Sequence, residues 1–257
     1  MSVTVTDTPQ FCYEPPASAR LARRVLIKPN LGYPTGPPVT VGMPVLKEVI
    51  AGVRRVNPSA EILIVEGVCH SLSAAEIVRR LGLERLLGDG VQFLDADTLP
   101  CRPYPNRAAA PHRFAEMWAP VLLDEVDCRI SVGALKKTVL KDAVLMSCAI
   151  KNLYGLFPRA RYKARSPHAR GQLHRPDVHQ IICDVYTTVG VLFDGAVVDG
   201  SEKFISKDWQ PDIGRGEPLG KVIWGDNLLA VDREACCLAG EGMPVYLDLL
   251  VGAKMSA

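Results

Sequence analysis

The stretch Glu61-Ile62-Leu63-Ile64-Val65-Glu66 decides the fold, together with the earlier run Arg24-Val25-Leu26-Ile27-Lys28-Pro29. Each is a short apolar run that is closed by a glycine or a proline, which predicts a strand buried on both faces. The chain between them has a proline- and glycine-rich loop over residues 30–42 and then helical apolar spacing over residues 45–56. A strand, a helix and a second buried strand in this order are typical of a parallel sheet.

The same alternation continues toward the C-terminus. Ser71 or Ser73 could cap a helix that Gly82 ends. Further strands are predicted over residues 91–94, 128–132, 191–198 and 221–224, and further helices over 139–153, 177–189, 227–238 and 244–251. We therefore predict an α/β fold with a mostly parallel sheet covered by helices on both faces. Residues 1–24 are expected to be a lead-in segment, and residues 25–257 a single domain or two closely packed lobes.

Composition excludes several classes of protein. The 257 residues are 48% hydrophobic and 23% charged, with a formal net charge of +2, so any basic function must lie in a local patch. The N-terminal sequence MSVTVTDTPQ lacks the pattern of a secretory signal, and no apolar run is long enough for a membrane span. We expect a cytoplasmic protein without a membrane partner.

Motifs for metals and cofactors do not occur in the sequence. None of the eight cysteines forms a CxxC pair, so neither a disulfide scaffold nor a cysteine-bound metal is predicted. The phosphate-loop, HExxH and GxSxG motifs are missing, and Gly214-Arg215-Gly216 is interpreted as a polar loop rather than a dinucleotide-binding turn. No cofactor and no metal site are predicted.

Lysines at the ends of predicted strands and helices are the main candidates for a site. At such a position an ammonium group can neutralise a carboxylate or phosphate, or lose its own proton when it is desolvated. Asparagines beside them could donate hydrogen bonds to the same ligand. Lysines also favour surfaces, and Lys151 could merely complement a helix C-terminus. The candidates are Lys28, Asn30, Lys136, Lys137, Lys151 and Asn152.

A basic segment over residues 151–175 contains seven lysines and arginines and no acidic residue. Such a segment could be a lid that attracts an anion, a surface for nucleic acid, or a solvated loop. The low net charge of the chain favours a small anion. We expect residues 159–170 to be mobile without ligand, and His174 is a candidate general acid or base.

Three acidic residues interrupt apolar patterns: Asp184, Asp199 and Asp232. A buried carboxylate is costly unless it is paired, so each should meet a lysine, a capping amide or a metal. Pairing with a structural partner is at least as well supported as catalysis. Asp199 and Asp232 are retained as candidate ligand-binding residues.

Six short motifs, in order between residues 25 and 240, resemble the family named "domain of unknown function 362". Lys28-Pro29-Asn30-Leu31 is similar to its "KPNL", and Ala149 to Gly155 is similar to its "alKNlyG". The other four are Val65-Glu66-Gly67, Ile130 to Lys136, Val197 to Gly200 and Leu229 to Asp232. The sequence departs from the family where a histidine usually follows Lys136-Lys137-Thr138 and where Ser201 to Phe204 replaces a glycine-rich stretch. The resemblance implies a fold and no particular reaction.

These observations favour an enzyme that acts on a small anionic metabolite. Lys136, Lys151 and His174 would be catalytic in a cofactor-independent proton transfer, decarboxylation or rearrangement. The alternatives are a metal- or flavin-dependent oxidoreductase and a non-catalytic protein that binds a ligand or nucleic acid. The sequence leaves homo-oligomer formation open.

Overall fold

An eight-stranded sheet runs through the computed structural model, which describes residues 2–139, 144–207 and 210–252, and only the backbone of Lys207. The strand order is β1-β10-β9-β7-β2-β3-β4, with β8 paired to β7 outside this path. The ladders joining β9, β7, β2, β3 and β4 are parallel, whereas β1, β8 and β10 pair antiparallel. The strands of this sheet are β1 (Val3–Asp7), β2 (Arg24–Pro29), β3 (Glu61–Glu66), β4 (Val91–Asp95), β7 (Cys128–Val139), β8 (Val144–Ser147), β9 (Gly195–Lys207) and β10 (Gly214–Gly225). β5 (Cys101–Pro105) and β6 (Glu116–Pro120) form a separate antiparallel pair.

Helices cover both faces of the sheet, which confirms the predicted fold class. Alternate side chains of β2 enter different cores: Val25 and Ile27 pack with α1, and Leu26 packs with α4, α6 and α7. Both faces of the strand are therefore buried, as its unbroken apolar run predicts. The helices are α1 (Met43–Val56), α2 (Ala74–Leu81), α3 (Leu122–Glu125), α4 (Ala149–Asn152), α5 (Arg159–Tyr162), α6 (Val178–Thr188), α7 (Leu228–Leu238) and α8 (Val245–Gly252).

Local signals fixed the ends of α2. Ser73 accepts a hydrogen bond from the backbone N–H of Glu76, whose side chain accepts one in return from Ser73, forming a capping box. The helix ends at Gly82, whose φ of 78° is in the left-handed region that glycine adopts without strain. Of the two serines considered, Ser73 is the cap.

The helix predicted over residues 139–153 is wrong. β7 continues to Val139 and returns as β8, and only Ala149–Asn152 is α-helical; residues 140–143 lie outside the described part. Thr138 pairs with Leu145, and Val139 pairs with Val144. β-Branched residues that find a cross-strand partner favour a strand over a helix, so pairing outweighed the local apolar spacing.

Three other segments also differ from the prediction. The Gly214–Gly216 stretch is not a loop but the start of β10, where a Cβ on Gly214 would collide with the carbonyl oxygen of Ile205 on β9. The strand predicted at residue 191 begins at Gly195, after a 3₁₀ turn. The segment treated as a lead-in contains β1, which forms the edge of the sheet beside β10. The domain organisation of residues 25–257 stays a prediction.

Among the residues that the structure describes, no helix is long and apolar enough to cross a lipid bilayer.

Candidate functional site

A buried ion pair lies where β2 and β3 end at the carboxyl edge of the sheet. The Nζ of Lys28 is 2.8 Å from Oε1 of Glu66, and the exposed fractions of these two side chains are 0% and 4%. Oε2 of Glu66 accepts from the backbone N–H of Leu31 at 2.7 Å, and Oε1 accepts from that of Gly67 at 2.8 Å. Both oxygens of the carboxylate therefore have partners, which a buried charge requires.

Asn152 ties α4 to this ion pair. Its Nδ2 donates to the carbonyl of Lys28 at 2.7 Å and to Oγ of Ser131 at 3.0 Å. Its Oδ1 accepts from the Lys28 ammonium at 3.2 Å, and that ammonium also donates to the carbonyl of Pro29 at 2.9 Å. Desolvation lowers the pKa of Lys28, and the neighbouring Glu66 opposes this shift. The charge of Lys28 is thus already neutralised, and its amine lies beneath the surface rather than open to a ligand.

Gly155 packs directly against the ion pair of Lys28 and Glu66. A Cβ at this position would collide with Oε1 of Glu66 and would lie 2.8 Å from Nζ of Lys28. Only glycine lets the chain after α4 approach the charges so closely. The ion pair, Asn152 and Gly155 together form a rigid floor, which we call the Lys28–Glu66 floor.

Two further lysines lie on elements that border this floor, Lys136 on β7 and Lys151 on α4. Lys136, on β7, donates to the carbonyl of Val39 at 2.9 Å and to Oδ1 of Asn30 at 3.4 Å. Lys151, on α4, lies with Nζ 4.9 Å from the centre of the Tyr154 ring. Neither amine forms an ion pair with a carboxylate in the described part of the chain, and both side chains keep some contact with solvent. Glu66, which is paired to Lys28, acts on Lys136 only from a distance and so compensates its charge in part.

The pKa values of both amines are lowered. Protein surrounds each amine despite its partial exposure, and desolvation is the largest cause in each case. The pKa of Lys136 falls to about 7, with the charge of Lys151 as the second cause, and the pKa of Lys151 falls to about 8. Both lysines therefore titrate close to neutral pH.

We call five residues the lysine cluster, because Lys136 contacts Asn30, the charge of Lys151 acts on Lys136 and His174, and Cys69 acts electrostatically on both lysines: Asn30, Cys69, Lys136, Lys151 and His174. The His174 ring contacts the edge of Tyr154, with 5.4 Å between ring centres, and its Nδ1 is 3.4 Å from the carbonyl of Arg170. Desolvation and then the charge of Lys151 lower the pKa of His174 to about 3, so the ring is neutral at pH 7 and is a weak base as long as Lys151 is charged. Protein surrounds the ring, although the residue as a whole keeps contact with solvent.

Arg170 is a buried residue that holds together the loops next to the lysine cluster. Its guanidinium is 3.0 and 3.1 Å from the two carboxylate oxygens of Asp97, and it contacts Sγ of Cys69 at 3.4 Å. Only 2% of the residue is exposed. It also donates to four carbonyl groups, those of Gly67, Val68, Gly155 and Phe157.

The structure corrects the interpretation of the segment 159–170 as a lid. Both of its ends are anchored, because Arg170 is buried and Arg159 forms a 2.6 Å ion pair with Asp97. Arg161 stacks on the ring of Trp118, with 3.9 Å from its guanidinium carbon to the ring centre. Residues 163–168 between these anchors are exposed. Mobility in the absence of ligand stays a prediction for this exposed part alone.

Three candidates lie away from the lysine cluster with partners of their own. Lys137 follows Lys136 on the same strand, so its side chain leaves the opposite face of the sheet, where it forms a 2.7 Å ion pair with Glu241. Asp199 accepts from the backbone N–H of Gly42 at 2.8 Å, just before α1. Asp232 accepts from the backbone N–H groups of Ala149 and Ile150 at 2.7 and 3.2 Å, and so holds the start of α4. The structural pairing considered from the sequence fits both carboxylates, with capping amides as partners.

Sequence reasoning missed Glu66, Cys69, Asp97 and Arg170 as parts of the site. Glu66 did carry a signal, since a carboxylate directly after the buried run Ile62 to Val65 must find a partner. The pairing of Arg170 with Asp97 joins positions far apart in the chain, and no local pattern indicates it.

A separate cavity of about 590 Å³ lies between residues 108–112, α6 and α8. Its lining includes Asp184, whose carboxylate already accepts from Asn106 and from the backbone N–H groups of residues 112, 113 and 114 at 2.8–3.0 Å. This carboxylate is saturated, and the remaining lining is mostly apolar. This cavity therefore offers less polar chemistry than the lysine cluster. In the described ranges, no three His, Cys, Asp or Glu side chains gather as metal ligands would.

Comparison with known proteins gives a limited set of relatives. No curated protein matches the chain. Among solved structures, the chain is similar to the lactate racemase apoprotein from Thermoanaerobacterium thermosaccharolyticum, with a TM-score of 0.46 and 14% sequence identity. The similarity covers 73% of this chain and 44% of the racemase chain, so the chain spans less than half the length of that protein.

The family resemblance noted in the sequence is confirmed. The matched region covers residues 25–237 and so includes the Lys28–Glu66 floor and every member of the lysine cluster. The chain belongs to the family described as Domain of unknown function (DUF362).

Proposed function

We propose that the protein is an enzyme that binds a small anionic metabolite at the lysine cluster and moves a proton on it without a resident cofactor. The observation that carries this proposal is that neither Lys136 nor Lys151 forms an ion pair with a carboxylate in the described chain, while the charge of Lys151 lowers the pKa of Lys136. A bound anion would relieve their repulsion and would receive two charge-assisted hydrogen bonds.

Lys28, in the Lys28–Glu66 floor, differs from Lys136 and Lys151 because its charge is already paired, and this difference supports the assignment. Lys28 has its own carboxylate and two further acceptors, so it adds no free charge. Its role is positioning: through Asn152 it holds α4, and α4 carries Lys151. Asn30 lies against Lys136 and is placed to meet the same ligand.

The chemistry follows from the protonation states. A protonated Lys136 stabilises negative charge that develops on a carboxylate or an enolate. A bound anion would compensate the charge of Lys151, which is one of the two causes that lower the pKa of His174, and the neutral ring would then be a stronger base for the proton that leaves a carbon next to a carbonyl group. This division of roles suits proton abstraction, decarboxylation or rearrangement.

A nucleic-acid surface has less support in the basic segment. Arg159 and Arg170 both pair with Asp97, and Arg161 covers Trp118. Among the described contacts of the segment, Lys163, Arg165 and Arg175 are exposed and unpaired.

Calorimetric titration with oxalate and with inorganic phosphate tests the binding part of the proposal. Lys151→Met removes one charge-assisted hydrogen bond, which contributes about 1.5–3 kcal/mol, so affinity should fall roughly ten- to a hundredfold. Lys163→Met, on the exposed stretch, should leave the affinity unchanged. Equal losses in both variants that high salt erases would indicate a diffuse basic surface and contradict the proposal.

Proton NMR in D₂O tests the enzymatic part. With pyruvate as the probe, the wild-type protein should exchange the methyl protons for deuterium faster than the His174→Gln variant does. Equal exchange rates in the two proteins, together with tight oxalate binding, would make this a binding site without the proposed proton transfer.

A further inference from the structure

The two amines of the lysine cluster differ in how they are held. Lys136 is fixed by the Val39 carbonyl and by Asn30, so its position is set before a ligand arrives. Lys151 has no hydrogen-bond acceptor within the described residues, and its amine lies over the face of Tyr154, 4.9 Å from the ring centre. One amine is thus built to hold a charge, and the other is left with a free lone pair once it is deprotonated.

Binding of a carboxylate would sharpen this difference. Without a ligand, the pKa of Lys136 is about 7 and lies below that of Lys151, so Lys136 loses its proton first. A carboxylate bound beside Lys136 would favour the charged form of that amine and raise its pKa, and the resulting positive charge would disfavour a second one on Lys151. Desolvation already lowers the pKa of Lys151 to about 8. A lysine that is desolvated beside another cation is the usual form of an amine nucleophile.

We propose that Lys151 forms an imine with the carbonyl carbon of a 2-oxo acid whose carboxylate is held by Lys136. This inference rests on the proposed function and deepens it by naming the substrate class. The carboxylate and the ketone of a 2-oxo acid are on adjacent carbons, which matches two neighbouring amines with these two different roles.

The covalent step is balanced without an oxidant or a metal. The lone pair of the Lys151 amine forms a C–N bond to the carbonyl carbon, and the carbonyl oxygen becomes a hydroxyl group. That oxygen then leaves as water with the two hydrogens of the amine, which gives C=N. A proton on this nitrogen makes it an acceptor for the electron pair left when a neighbouring C–H or C–C bond breaks. His174, at the same aromatic ring as Lys151, is placed to take or return the proton.

Reductive trapping tests the proposal. The protein is incubated with pyruvate and sodium cyanoborohydride, which adds hydride to C=N, and the product is measured by intact mass and peptide mapping. We expect one 1-carboxyethyl group per chain, located on Lys151. Excess oxalate, which has a carboxylate but no ketone, should suppress the modification.

Two variants serve as controls. Lys151→Arg keeps a positive charge but cannot form the imine, so the modification should be lost while oxalate still binds. Lys163→Arg, on the exposed stretch, should be modified at Lys151 like the wild type. Circular dichroism checks that both variants fold, and peptide mapping of the wild type locates the adduct independently of any variant.

The outcomes separate this inference from the proposed function. Oxalate binding without any adduct on Lys151 would overturn the imine and leave the anion site in place. Modification spread over surface lysines at the same level as Lys151 would also overturn it. Failure of both oxalate binding and trapping would remove the proposed function itself.

Discussion

Replacing Glu66 with glutamine should strongly destabilise the protein, because it removes the only carboxylate that neutralises the buried ammonium of Lys28 among the described contacts. The new amide would also turn its N–H₂ group toward one of the donors that Glu66 now accepts from, Leu31 N–H or Gly67 N–H. The variant thus leaves one charge uncompensated and at least one donor facing another donor.

The expected loss of stability in Glu66→Gln follows from the complete burial of the ion pair between Lys28 and Glu66. Breaking a fully buried ion pair on one side costs about 3–5 kcal/mol, whereas an exposed pair contributes about 0–1 kcal/mol. For a chain of this size, each kcal/mol lowers the Tm by about 2–4 °C, so Glu66→Gln should lower it by roughly 6–20 °C. Lys28→Met in the same background removes the uncompensated charge and should recover part of this loss.

Urea unfolding followed by circular dichroism measures these differences. Asp7→Asn is the matched control, because Asp7 and Lys221 form an ion pair at 2.6 Å whose side chains are 51% and 38% exposed. This control should lose no more than about 1 kcal/mol. The deficit of Glu66→Gln should shrink as pH rises, since an unpaired Lys28 releases its proton more readily when folded than when unfolded. A loss below about 1 kcal/mol, equal to that of the control, would refute the buried floor.

Three other predictions follow from single contacts. Gly155→Ala places a Cβ against Glu66 and Lys28 and should cost about 1–3 kcal/mol in thermal melting, whereas Gly36→Ala, with no atom within 4 Å of its Cβ, should be neutral. Burial raises the pKa of Asp232 to about 7, so its contribution to stability should be lost as pH rises from about 4 through 7, and Asp232→Asn should flatten this slope in urea unfolding measured across that range. Oxalate affinity in calorimetry should fall as pH rises through about 7 to 8, because the lysine cluster loses its charge there, and an affinity that rises with pH would contradict this assignment.

The parallel strands at the centre of the sheet could be predicted because each of them has a recognisable local sequence pattern. Both faces of β2 and β3 are buried, so unbroken apolar runs mark them in any context. The start and end of α2 were predictable for a similar reason, since Ser73 and Gly82 act on their nearest neighbours. β1 and β8 were missed because each is stabilised by its partner strand, β10 or β7, and not by a local pattern.

The candidate site was predictable only where position in a strand or helix decides the geometry. Lys136 and Lys151 were singled out because they follow buried segments. Lys137 was included beside them because the strand was expected to end at residue 132, but β7 continues and strand alternation sends adjacent side chains to opposite faces. Arg170 was placed on a lid because its partner Asp97 is 73 residues away, and charge composition alone cannot distinguish a buried arginine from an exposed one.

A crystal structure of the protein grown with oxalate tests the central claim most directly. The account predicts oxalate at the lysine cluster, with carboxylate oxygens about 2.7–3.2 Å from the Nζ atoms of both Lys136 and Lys151, and with the Lys28–Glu66 pair unchanged beneath it. Oxalate bound instead to the exposed stretch around Lys163, or inserted between Lys28 and Glu66, would contradict the account.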